Sequence, residues 1–420
     1  MANNSNNVNI QNGLIKINEN IDIKSDRIKS IDILKGIAIF WIIGGHVCWY
    51  WLVEDSLWIH DFLLVFIFWP ITAVNFVMLS GTNLAISVSS KRDNNWNNKQ
   101  IRSYTLRRLV ILLLLSIFYN FMIGLFAVEY EWYYMYAWFI LQTIGTSLTI
   151  LIFMVNISRT LKIILGILII LISYPLHFLL ISLGYHWTLV DYLLFYPFDK
   201  FPFLPWGGLT FIGYYIGEIF YDVKYRSKKG QETRKMRSFI LYLLLIGAGF
   251  IAFGIIMGSN CPSTNPYDSY WYNLSQFHIQ IMSVNPLLTF QSLPFFILKG
   301  HWTFMFYSLG IDFILLSILT YFCDYRKANN SVLKFFSFSG QMAFSIFFYH
   351  HIGIPLLYRT LDFIWAWPVW ISYAILIIGF VWLLVKKYEG VGTIEWLMIL
   401  ITYKQKLKIE YKVVQRSNII

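Results

Sequence analysis

The feature that most limits what this chain can become is the recurrence of apolar runs long enough to cross a bilayer. A helix needs about 20 mostly apolar residues to span the hydrocarbon core. Ten such runs lie near residues 35–53, 62–88, 108–127, 137–156, 162–184, 205–222, 238–258, 301–322, 335–357 and 367–385. A water-soluble fold could not cover them, because 57% of the residues are apolar and only 13% are charged, where soluble domains carry about 25% charge. The expectation is an all-α fold, a polytopic membrane helix bundle of about ten spans. The second run is long enough to tilt or bend, and Pro70 gives it a reason to do so.

Basic residues orient the bundle. If the N-terminus is inside, 30 of the 33 Lys and Arg residues fall in segments on that side, and only Lys200, Lys299 and Arg359 fall outside. Positive charge accumulates in loops that are not translocated, so both termini are expected in the cytoplasm of a multi-pass cell-membrane protein. The net charge of +11 is then a consequence of topology and calls for no nucleic-acid partner.

Residues 1–26 read as a mobile polar cytoplasmic tail without the pattern of a signal peptide, residues 27–403 as the membrane domain, and residues 404–420 as a basic cytoplasmic tail. Residues 259–300, rich in aromatics and Pro, are expected in the outer interface or folded back over a cavity, and a re-entrant hairpin is one form of that. Residues 394–403, "IEWLMILITY", are too short to span and suit an interfacial helix. No inverted internal repeat is visible, which weighs against a carrier. Cys48, Cys261 and Cys323 lack metal or redox spacing and fall at different depths, so neither a disulfide nor a bound metal is expected from them.

The first span carries a polar stripe within "RIKSIDILKGIAIFWIIGGHVCWYW". At 100° per residue, Asp32, Lys35 and His46 share a face, with His46 about 16 Å along the axis from Lys35, roughly half the hydrocarbon thickness. Gly36, Gly44 and Gly45 offer close-approach surface to neighbouring helices. The bland role for His46 is an interhelical hydrogen bond. Ionisable groups inside a membrane more often face a cavity and serve function, which makes His46 the leading catalytic candidate. His60, beside Asp61, suits an ordinary interfacial role better.

Three further features hold candidates. Asn75, Ser80 and Thr82 form a polar line on the second span, whose plain explanation is helix packing. His350 and His351 end the aromatic run "FFSFSGQMAFSIFFYHHIGIP"; on a helix one of the two must point away from whatever the other faces, so one is expected to line a cavity and one to pack. Arg102, Arg107 and Arg108 close the loop "KRDNNWNNKQIRSYTLRRLV", where topology alone would put cations, although guanidinium groups at a cavity mouth also suit a phosphate-rich ligand.

These stretches resemble a known family. "RIKSIDILKGIAIFWIIGGH" is similar to the first-span signature of the transmembrane acyltransferase superfamily, and "FVMLSGTNLAIS" to its second-span Ser-Gly motif. "AWFILQTIG", "FPFLPWGGLTFIGYYIGE", "SGQMAFSIFFYHH" and "GVGTIEW" resemble the branch of heparan-α-glucosaminide N-acetyltransferase and its prokaryotic relatives. Lys35 stands where Arg is usual, which loses a bidentate fork, and Thr393 stands where Pro is usual.

The resemblance implies transfer of an acetyl or other short acyl group from cytoplasmic acyl-CoA, a co-substrate with no permanent cofactor beside it, to a hydroxyl or amine of a glycan or amino-sugar at the outer face. It implies His46 as catalytic group, or His60, which lies nearer the second span, with Asp32 in the same stripe. Arg27, Lys35, Arg102, Arg107 and Arg108 become candidates for the CoA phosphates. His46 would act as general base or accept the acyl group in transit. Tyr267, Tyr270, Trp271 and Tyr272 are candidates for stacking on a sugar, against a plainer role as interfacial anchors. A homodimer is compatible with this scheme. The rival is a transporter or lipid-linked-sugar flippase without covalent chemistry.

Overall fold

In the computed structural model the described residues are 10–11, 14–15, 27–126, 138–184, 189–195, 200–228, 230–265 and 268–401. Fifteen α-helices occur in them: α1 (Lys29–Trp51), α2 (Leu57–Leu63), α3 (Trp69–Ile71), α4 (Ala73–Asp93), α5 (Asn98–Phe126), α6 (Ile140–Phe153), α7 (Arg159–Ser182), α8 (Leu189–Leu194), α9 (Phe203–Tyr225), α10 (Glu232–Gly258), α11 (Ser269–Met282), α12 (Trp302–Leu319), α13 (Ser331–Gln341), α14 (Ala343–Tyr349) and α15 (Phe363–Lys387). Residues 394–401 add a short helix. A two-residue ladder pairs Ile10–Gln11 with Leu14–Ile15.

Six helical stretches are long and apolar enough to cross a membrane, or seven if the pair α13 and α14, bent by 78°, is one broken span. Each of the ten runs expected from hydropathy falls on a helix, but not every helix meets the length and composition test. α6 has only 14 residues. α9 is diluted by Trp, Tyr, Gly and Glu218 and is almost wholly buried, so its neighbours rather than lipid solvate it. The second run is interrupted as Pro70 suggested: a π-turn over Leu64–Phe68 and a break at Thr72 divide it, and the Thr72 hydroxyl donates to the Phe68 carbonyl at 2.6 Å. A proline has no N–H for the ladder, whereas the Phe68 carbonyl accepts the Thr72 N–H at 2.8 Å as well as the Thr72 hydroxyl.

Packing is closest between α4 and α9, α10 and α12, α1 and α13, and α7 and α9. Small residues permit it. A Cβ added at Gly213 would sit 1.9 Å from the Met78 carbonyl oxygen, and one at Gly36 would sit 1.9 Å from that of Phe336. Between membrane helices, where lipid removes the hydrophobic drive to associate, such backbone contact supplies the dispersion energy.

α1 is fixed at both ends. Asp324 accepts from the backbone N–H groups of Lys29 and Ser30 at 3.2 and 3.0 Å, and Arg359 donates to the carbonyls of Trp49 and Leu52 at 2.8 and 3.1 Å. An anion at the first turn and a cation at the last both complement the helix dipole. Residues 259–300 contain α11, and their apolar side chains Trp271, Ile279, Met282, Leu293, Ile297 and Leu298 form a second core with Val65. Cys48, Cys261 and Cys323 are free.

Candidate active site

His46 lies about three-quarters of the way along α1 and meets the chain turn that follows α14. Its Nδ1 is 2.8 Å from Nε2 of His350, and the two rings are nearly parallel, 5.1 Å between centroids. His351 is 4.8 Å from His46 and 3.9 Å from His350, centroid to centroid. The expectation that one of the adjacent histidines must turn away is therefore corrected. It assumed an unbroken helix, whereas α14 ends at Tyr349 and residues 350–353 form a turn, which lets consecutive side chains converge. The Tyr119 hydroxyl of α5 lies 3.2 and 3.1 Å from Nδ1 and Nε2 of His351.

This turn is held from two directions. The Tyr373 hydroxyl donates to the His350 carbonyl at 2.5 Å and accepts from the Gly353 N–H at 3.2 Å. At the other end of α14, Glu395 accepts from the N–H of Phe344 at 3.0 Å and of Ser345 at 3.3 Å, and from the Ser345 hydroxyl. Burial raises the Glu395 carboxyl above its usual range, against the lowering effect of these hydrogen bonds. Glu395 lies within the "GVGTIEW" stretch but was not singled out in the sequence.

A second imidazole pair was missed altogether. Nδ1 of His278, on α11, lies 2.9 and 2.8 Å from the two carboxylate oxygens of Asp61, and both residues are buried. Nε2 of His278 is buried without a hydrogen-bond partner among the described residues. In the neutral ring the carboxylate takes the Nδ1–H, and Nε2 is then a lone-pair acceptor with no donor among the described residues. Trp69 packs edge-on against this ring, 5.0 Å away. His60 is buried in the protein, and it is close enough to His46 and His278 to interact electrostatically with both. Lys299 lies over Trp69 and acts electrostatically on His46, so it belongs to the same region.

Other predicted residues lie elsewhere. Asp32, Lys35 and Arg27 are grouped at the start of α1, where Arg27 pairs with Asp32 at 3.2 Å. They lie on the flank of α1 that meets the bent pair, with Gly340 against the Asp32 backbone, but about 16 Å or more along the axis from His46. Thr82 donates to the Gly213 carbonyl at 2.9 Å, Ser80 to Phe76 within its own helix at 2.8 Å, and the Asn75 amide faces the Leu34 carbonyl at 3.4 Å. Thr82 and Asn75 thus reach neighbouring helices, and Ser80 satisfies a carbonyl of its own helix. Trp271 is buried against His301, 5.1 Å away, and is not open to a sugar; Tyr267 lies outside the described residues.

The basic loop forms a groove of about 900 Å³ lined by Lys99, Arg102, Ser103, Leu106, Arg107 and Ile401 among others. Arg102 donates to the Phe153 carbonyl at 3.0 Å and Arg107 to the Ser103 hydroxyl at 3.2 Å. Arg108 instead approaches the Tyr104 ring at 6.0 Å. α5 connects the groove to the histidine cluster: Arg107, which lines the groove, and Tyr119, which touches His351, are about 18 Å apart along it.

A family model described as heparan-alpha-glucosaminide N-acetyltransferase, catalytic, matches residues 27–256. The match covers more than half of the chain and includes His46, His60, Asp61 and the basic loop; His278, His350 and His351 lie beyond it. No curated protein matches the sequence significantly. With its apolar helices and this match, the chain belongs to the heparan-alpha-glucosaminide N-acetyltransferase catalytic family, a family of membrane acetyltransferases.

Proposed function

We propose that the protein moves an acetyl group from acetyl-CoA, bound on the cytoplasmic side, to an amine or hydroxyl of a sugar acceptor reached from the outer face. The observation that carries the reading is the Asp61–His278 pair, whose buried Nε2 has no partner among the described residues. An imidazole held in one tautomer by a carboxylate, with its far nitrogen free, is the arrangement that takes a proton from an attacking group. In the reaction, Nε2 of His278 accepts the acceptor's N–H or O–H proton as that atom attacks the thioester carbonyl carbon. The carbon–sulfur bond then breaks, the acetyl group leaves with the acceptor, and the CoA sulfur recovers the proton from His278. His46 has an imidazole, His350, on its Nδ1 in place of a carboxylate, so its ring lacks the anion that stabilises a gained proton, which favours a role on the acyl side of the reaction over that of base.

The groove along α5 suits the CoA phosphates, with Arg102 and Arg107 as guanidinium donors. The extended pantetheine arm is commensurate with the distance to Tyr119. Ten spans with both termini inside accommodate this arrangement. The test is transfer from labelled acetyl-CoA to glucosamine-type acceptors in membranes. Wild-type turnover that falls at least about 100-fold in His278→Ala is expected from loss of a general base. Full turnover in both His278→Ala and His46→Ala would remove this centre from the chemistry. A carrier without covalent chemistry would move the sugar and leave acetyl-CoA intact.

A further inference from the structure

The three convergent histidines have a property that acetyl transfer does not require. The ligand nitrogens of His46, His350 and His351 all lie within 4.8 Å of one another. A tetrahedral ion with metal–nitrogen bonds of about 2.0–2.1 Å separates its nitrogens by about 3.3 Å, a value inside the range from the shortest contact here, 2.8 Å, to that limit.

The outer face of the cluster is consistent with ligation. Nδ1 of His350 lies 3.2 Å from the Ile346 carbonyl, and Nδ1 of His351 lies 3.4 Å from that of Phe347. Donation to a backbone carbonyl by the nitrogen that does not bind is the usual way a ligating histidine is oriented. It leaves a lone pair on Nε2 of each ring. Nδ1 of His46 then faces a lone pair at 2.8 Å, and only a proton or a cation can occupy that contact favourably.

We propose that His46, His350 and His351 form a site for a divalent transition-metal ion of the zinc class. Three imidazoles without a thiolate or carboxylate among them favour borderline ions such as Zn²⁺ or Co²⁺ over Mg²⁺ or Ca²⁺. Three protein ligands leave a fourth position open, and the Tyr119 hydroxyl stands beside it. Because the three ligands are neutral and His350 and His351 are buried, the fourth ligand is anionic: a hydroxide, a thiolate or the Tyr119 phenolate. The turn that carries His350 and His351 is fixed by Tyr373 before any ion binds, so the site is largely preformed. Sequence spacing hides it, since 304 residues separate His46 from His350.

The proposal does not depend on acetyl transfer being the reaction, and its test is separate. Full-length protein purified without a histidine tag from zinc-supplemented cells is assayed for metal by mass spectrometry. Roughly one equivalent of zinc is expected in the wild type and in His60→Ala, and well under a third of that in His350→Ala and in His351→Ala. In parallel, wild-type protein stripped with a chelator is titrated with Co²⁺, which reports a tetrahedral nitrogen site by intense visible absorption without any variant having to fold. Zinc no higher in the wild type than in the two variants, or cobalt spectra typical of an octahedral ion, would overturn the site. Acetyl transfer by a wild-type protein that carries no zinc and takes up no cobalt at a tetrahedral site would leave the acetyltransferase reading standing and this one refuted.

Discussion

His278 can act as a base only while Asp61 keeps the proton on Nδ1. An amide at position 61 presents a donor as well as an acceptor and no longer enforces that tautomer. Asp61→Asn is therefore expected to lower acetyl-transfer turnover by about 10²–10⁴-fold while leaving the thermal unfolding of the detergent-solubilised protein nearly unchanged. A loss of stability with turnover intact would make the pair structural. Of the residues in this region, His46 was legible from sequence because an imidazole deep in an apolar span has few innocent explanations. His278 was not, because it lies 217 residues from Asp61 in a segment without clear periodicity. His350 and His351 were visible but misjudged, since helical geometry was extended one turn past the end of α14.

Among the elements, the ten apolar runs located the helices, and Pro70 located the break in the second. What periodicity did not show is that α7 and α9 are joined by a buried charge pair. Lys162, counted in the sequence as an ordinary cytoplasmic-side cation, has a side chain only 1% exposed, and its Nζ is 3.3 Å from Glu218. It also sits 4.3 Å above the Tyr214 ring, and Arg159 supports Glu218 from the more exposed side at 3.6 Å. A charge tally cannot distinguish a solvated lysine from one whose partner lies 56 residues further along the chain. Removing one member strands the other in a low dielectric. Glu218→Ala is expected to cost about 3–5 kcal/mol, whereas Lys162→Met combined with Glu218→Leu should cost much less, because it removes both charges together. Unfolding midpoints of the two proteins in one detergent measure the difference, and equal losses would contradict the pairing.

At the level of the whole molecule, the proposed reaction brings donor and acceptor from opposite faces, and the positive-inside distribution gives the expected orientation. The basic groove of Lys99, Arg102 and Arg107 is assigned to the cytoplasm, and residues 259–300 to the outside. Two positions report on this directly. Cys261 is exposed in the outer segment, and Ser103 lines the groove. A membrane-impermeant maleimide should label Cys261 from outside intact cells. In a protein carrying Ser103→Cys and Cys261→Ser, the same reagent should label only inverted vesicles, and CoA should slow that labelling if its phosphates occupy the groove. Guanidinium–phosphate contacts are charge-assisted and screened by salt, so the protection should weaken as ionic strength rises. Labelling of position 103 from outside would invert the bundle. Labelling from inside that CoA does not slow would keep the orientation and send the donor to another route.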